Sequence, residues 1–125
     1  MPEENAMGQS YRNLSAWKKG IDLVTEIYRV TQHFPREELY GRSNQLRRAA
    51  ISVPSNIADG QARFSPKAFH HFLATARRSL VEIETQIIIA EKLNYLQPDA
   101  CHSILEQTAE LGRILNGLIA SIKPK

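Results

Sequence analysis

A chain of 125 residues, 42% of them apolar and with a net charge of +3, can bury one core unaided and is too apolar to be globally disordered. A single cysteine excludes an internal disulfide, and no apolar run approaches the roughly eighteen residues a membrane helix needs. The opening MPEENAMGQSYRN is polar and acidic where a secretory signal is basic and then apolar, so the expectation is a soluble cytoplasmic protein with a disordered extension over residues 1–12.

The first predicted helix begins near Asn13 or Ser15, either of which can cap it, and stops before His33-Phe34-Pro35. Trp17, Ile21, Val24, Tyr28 and Thr31 repeat at helical spacing and form its apolar face, which Leu23, Ile27 and Val30 broaden. The second helix runs from about Glu38 to Ala62, with Leu46, Ala50, Val53 and Ile57 inward. Its interior holds Pro54, where the lost donor and the ring's pressure on the carbonyl four residues back cost about 3 kcal/mol. The expectation there is a kink, with Ala49 and Ala50 leaving room for the ring and Ser52, Ser55 and Asn56 re-satisfying the freed Ala50 carbonyl. The sharper alternative is a small polar binding pocket at the kink.

Ser65-Pro66 reads as a cap followed by proline at the first helical position. The third helix extends from Pro66 to about Asn94, with Leu73, Ala76, Leu80, Ile83, Ile87 and Ala90 on one face. After the Gln97-Pro98-Asp99 break, Cys101, Ile104, Thr108, Leu111, Leu115, Leu118 and Ile122 repeat the same pattern in a fourth. Short links force consecutive helices to run antiparallel. The predicted fold is therefore all-α, a single up-down-up-down four-helix bundle over residues 13–122 with a proline-kinked second helix and a tail at 123–125. Apolar residues also lie off the main stripes, namely Phe69, Phe72, Val81, Ile88 and Ile89 on the third helix and Leu105, Ile114 and Ile119 on the fourth. Such breadth means a generous core or a subunit interface, and a homo-oligomer is expected.

Catalytic chemistry finds little support. Di-metal bundles use Glu-x-x-His pairs, whereas Val30, Lys67, Ala68 and Asp99 stand three residues before the four histidines. Asp99, Cys101 and His102 lie close in sequence, but Asp99 suits a cap or a first-turn dipole partner and Cys101 falls on the apolar stripe. The glycines are too scattered for a phosphate loop. No catalytic, cofactor or metal residue is nominated, no small-molecule substrate or membrane partner is indicated, and the chain is not expected to be an enzyme.

Charge is the surviving functional signal. Residues 36–78 carry eight bases against three acids, while residues 79–125 carry four against six. Arg42, Arg47, Arg48, Arg63, Lys67, Arg77 and Arg78 are the candidate contacts, either to RNA or DNA or to another subunit. Antiparallel packing is expected to bring Arg63 and Lys67 together at one end and to turn Arg77 and Arg78 toward Arg47 and Arg48. The competing expectation is that these arginines pair with Glu82, Glu84 or Glu91, within the bundle or between subunits, and leave no free patch. No aromatic-interleaved basic motif for single strands is present, and packing explains Phe64 and Phe69 as well as base stacking does.

The segment SNQLRRAAISVPSNIADG (residues 43–60), with LSAWKK (14–19) and SLVEIETQ (79–86), resembles the four-helix-bundle proteins named after the intervening sequences of bacterial 23S rRNA genes. Asp59 is a mild departure, since the acidic-Gly pair that closes the segment more often has Glu as its acid. The resemblance implies a bacterial bundle protein assembling as a ring-shaped homopentamer, without an established activity. It also implies a relation to the accessory proteins of diversity-generating retroelements, which associate with a reverse transcriptase and nucleic acid.

Overall fold

The computed structural model of the protein describes residues 10–122. Its four α-helices are α1 (Ser15–Thr31), α2 (Asn44–Ala62), α3 (Pro66–Lys92) and α4 (Pro98–Ser121), and no strand occurs among the described residues. Each helix packs on the next, and α4 closes the square against α1. The expected up-down-up-down bundle is the observed fold. The expected tail and residues 1–9 of the expected extension lie outside the described residues. Tyr11–Asn13 form a 3₁₀ turn whose Tyr11 ring meets Trp17 edge-on at 5.4 Å.

The links follow local chemistry. Ser65 Oγ accepts from the Ala68 N–H at 3.3 Å and Pro66 opens α3, where a missing donor costs nothing. Asp99 sits in the first turn of α4, the positive end of that helix's dipole. Residues 36–43 depart from the expected start of the second helix. They form a 3₁₀ turn (Arg36–Glu38) and a π turn (Leu39–Ser43), in which Gly41 leaves helical geometry at φ −108°, ψ −106°. The tertiary reason is Glu38, whose carboxylate accepts the Tyr95 hydroxyl at 2.9 Å and pairs with Arg42 Nε at 3.5 Å. It thereby ties the α1–α2 link to the α3–α4 link.

Every residue expected to face inward on α2, α3 and α4 is buried. Helix α1 is rotated relative to expectation. Its core face is Ala16, Gly20, Leu23, Ile27, Val30 and Thr31, while Ile21 and Tyr28 are exposed and Trp17 and Val24 half-buried. The cause is Pro54. Its buried ring lies against Gly20, where a Cβ would stand 3.3 Å from Pro54 Cβ. Small residues must face α2 at that level, and a face led by Trp17 would hold the helices apart.

Helix α2 continues through Pro54, and the residue that leaves helical geometry is Gly41 in the preceding turn. The polar neighbours also act differently from expectation. Asn56 Nδ2 donates to the Ser52 carbonyl at 2.7 Å and to Ser52 Oγ at 2.9 Å, and Ser52 Oγ bonds Ser79 Oγ of α3 at 2.8 Å. None of these bonds reaches the Ala50 carbonyl. The Ser52–Ser79 bond fastens α2 to α3, Ser55 is exposed, and the groove beside Pro54 that includes Ser55 is lined mainly by apolar Trp17, Ile21, Val24 and Ile51 in place of a polar pocket.

Candidate functional site

The Ser52–Ser79 bond marks the α2–α3 register, from which the levels of the nominated bases follow. Arg77 and Arg78 come level with Val53 and Pro54, about six residues, or roughly 9 Å of helix, from Arg47 and Arg48. Their directions also differ. Arg47 turns toward α1, where its Nε donates to Thr31 Oγ1 at 2.8 Å and its Cζ lies 4.6 Å from the Tyr28 ring centroid. Arg77 turns toward α4, donating from Nε to Asn116 Oδ1 at 3.1 Å beside Gly112. The expected meeting of these two pairs does not occur.

Within the protomer, no pairing of these bases with Glu82, Glu84 or Glu91 occurs among the described residues. Glu82 accepts from Gln86, Glu84 from Thr108 Oγ1 at 2.8 Å, and Glu91 from Cys101 Sγ at 3.5 Å. Of the seven bases, Arg42 is the one in an ion pair among the described residues. Arg78 bonds Thr75 of its own helix, Arg63 lies over the Phe72 ring with Cζ 5.0 Å from its centroid, and Arg48 and Lys67 are exposed. Arg63 and Lys67 do share one end of the bundle, as expected, flanking the α2–α3 turn.

Antiparallel packing sorts charge along the bundle axis rather than along the sequence. The half containing the α2–α3 turn carries Arg12, Lys18, Lys19, Arg63, Lys67, Arg77, Arg78 and Arg113 against Asp22, Asp59 and Glu110, an excess of five positive charges. The opposite half of the described residues carries six bases and eight acids. Arg12, Lys18, Lys19 and Arg113 were not nominated from the sequence, where nothing marks four bases on three separate elements as neighbours.

Packing within the protomer accounts for Phe69 and not for Phe64. Phe69 is fully buried, but Phe64 is 72% exposed and has left-handed backbone at φ +54°. That region costs about 1–2 kcal/mol for a residue with a Cβ, and glycine or asparagine normally fills it at a helix end. The sequence signal was the absence of either residue between α2 and the Ser65 cap.

Leu39, Tyr40 and Leu93 are exposed at the end of the bundle away from the α2–α3 turn, and the apolar residues exposed along the helices group into two faces. On the α1–α2 seam Ile21, Tyr28 and Ile51 are exposed beside half-buried Trp17 and Val24. On α3, Val81 and Ile88 alternate at helical spacing with Arg77 and Glu84, whose side chains reach α4. They therefore lie on the α3–α4 seam with half-buried Leu105, and are 49% and 42% exposed. In a square bundle these seams are on opposite sides. The α1–α4 seam between them is polar, with Lys19 Nζ 3.4 Å from Glu110 and Asp22, Glu26 and Arg29 nearby. Phe72 packs instead toward α2 at Gly60.

Among the described residues, no three His, Cys, Asp or Glu side chains gather as a metal site, and no helix is long and apolar enough to cross a membrane. Cys101 is buried. Desolvation first, then its bond to Glu91, pushes its thiol above the usual range, so thiolate is scarce at neutral pH. Iodoacetamide is expected to label it slowly at pH 8 in the native protein and rapidly in denaturant, as read by intact mass. Equal rates in both states would place the thiol outside the core.

A family model described as 23S rRNA-intervening sequence protein matches residues 12–117, from the 3₁₀ turn into the later part of α4. No curated protein matches the chain.

Proposed function

The chain belongs to the 23S rRNA-intervening sequence protein family, and from that premise we propose that it acts without catalysis, as an oligomeric four-helix-bundle scaffold in the cytoplasm. The observation that carries this reading is the pair of apolar faces on opposite sides of one protomer. A two-fold dimer would cover one face and leave the other in water. Two different faces pointing in opposite directions favour head-to-tail contact, which closes into a ring when the rotation permits. A ring of five is the assembly implied by the resemblance.

The test is a pair of charge insertions read by native mass spectrometry. Ile51→Lys and Val81→Lys are each expected to reduce the assembly to monomers. Each variant keeps one intact face, so an equimolar mixture is expected to form a heterodimer. Wild type that remains a monomer at micromolar concentration removes the scaffold reading. Monomeric variants that do not pair when mixed remove the head-to-tail contact.

The axial charge asymmetry favours a second reading, an RNA- or DNA-binding accessory protein. Cyclic symmetry would place every α2–α3 end on the same side of a ring, so weak phosphate contacts would repeat around one rim. Affinity for a labelled oligonucleotide is then expected to fall steeply with salt. It should drop when Lys67, Arg77 and Arg78 become alanine, and stay unchanged when Arg47 and Arg48 do. Equal losses from both sets would detach binding from the basic end.

A further inference from the structure

Phe64 lies outside the core and outside both apolar faces. It follows α2 directly, precedes the Ser65 cap of α3, and holds left-handed backbone while its ring stays in water. Nothing in the packing explains a phenyl group at a position that glycine fills without strain.

Its neighbours supply the complementary chemistry. Arg63 is held on the surface by the face of the Phe72 ring, a contact that leaves its N–H donors available for an anion. Lys67 is exposed one turn beyond the ring. All three belong to the half of the bundle with the positive excess.

We propose that the α2–α3 turn binds single-stranded nucleic acid, with Phe64 stacked on one base and Arg63 and Lys67 on the flanking phosphates. The proposal rests on the second reading above and names its contact point. An exposed apolar ring with cations one residue before and three residues after it in the chain matches a single-stranded nucleotide, which offers a π-face and a charged backbone a few ångströms apart. A duplex keeps its base faces stacked and gives the ring nothing to cover. A bilayer surface calls for a broad apolar face, whereas Phe64 is bordered by Arg63, Ser65 and Lys67. An acidic peptide would satisfy the cations and leave the ring unpartnered.

Fluorescence anisotropy with labelled oligo-dT, oligo-U and a duplex of equal length tests the site on the full chain. Phe64→Asn removes the ring and suits the left-handed backbone, so the variant is expected to stay folded by circular dichroism. Its affinity for the single strands is expected to fall about five- to a hundredfold, the range for losing one stacked base. Phe64→Trp is expected to keep wild-type affinity, with its added indole emission quenched when the strand binds; a Trp17→Phe background removes the native signal. Preference for oligo-U or for oligo-dT identifies the natural strand and supports the site in either case. Salt-sensitive binding that ignores Phe64→Asn overturns this proposal and leaves the basic-end reading standing, whereas no binding at low salt removes both. Equal Phe64 dependence with phosphatidylserine vesicles or poly-glutamate would reassign the turn to a membrane or a protein. Loss of assembly in Phe64→Asn, read by native mass, would reassign it to a subunit contact.

Discussion

Replacing Gly60 by valine is expected to lower the stability of the bundle by about 3 kcal/mol, the upper part of the range for overpacking. The reason is where α2 meets α3. A Cβ built on Gly60 would stand 2.7 Å from Phe72 Cβ, 3.1 Å from Phe69 Cδ1 and 3.4 Å from Phe69 Cα. Two of these are anchored atoms that no rotamer change can move, so the helices themselves must separate. Gly117 supplies the control, because a Cβ there meets nothing within 4 Å. Gly117→Ala is expected to stabilise by about 0.5–1 kcal/mol through helix propensity alone. Urea titrations at one fixed protomer concentration, followed by far-UV circular dichroism, would compare the two. A Gly60→Val loss no larger than about 0.5 kcal/mol would mean that α2 and α3 are not in close contact at this level.

Phe69→Ala is expected to cost about 4 kcal/mol, within the range for deleting a buried aromatic side chain. Phe69 is fully buried, the bulkiest of the side chains wholly removed from solvent, and it packs where α2 and α3 approach closely at Gly60. Against a typical total of about 5–15 kcal/mol, a loss of that size leaves a marginal protein whose melting temperature is expected to fall sharply. The same site predicts coupling. Removing the Phe69 ring relieves one of the contacts that Gly60→Val compresses, so the double variant is expected to lose less than the sum of the two single losses. Strict additivity would separate the two positions in space.

Both residues bear on function through geometry. They hold the α2–α3 end together, and that end presents Arg63, Lys67 and the exposed Phe64 ring. A destabilised variant would weaken any contact made there, so binding experiments need the folded fraction measured alongside.

The inward faces of α2, α3 and α4 were legible because their apolar residues repeat at helical spacing with a single consistent choice. Helix α1 carries two overlapping apolar stripes. Periodicity alone favoured the one with Trp17 and Tyr28, and Pro54 packing on Gly20 selected the other. The displaced stripe became an exposed seam, which is the basis of the assembly proposal. Likewise, Ser52 and Asn56 were visible as polar neighbours of a proline, but the partner of Ser52 on α3, Ser79, lies 27 residues away, beyond the reach of a local argument.

Spacing, capping residues and breakers in this sequence were sufficient to determine the helix count, the antiparallel order and most of the core, because all of these depend on contacts within a turn or two. The proline-containing segment was sufficient to point to the family. Three features were decided only by tertiary structure: the rotation of α1, the separation of Arg47 from Arg77, and the gathering of bases from separate helices at one end. Each depends on which residues of different helices come level, and that register is set by close approaches such as Gly20 to Pro54 and Gly60 to Phe72. Local sequence patterns report the face a residue occupies on its own helix, while its neighbours on the next helix are chosen by packing.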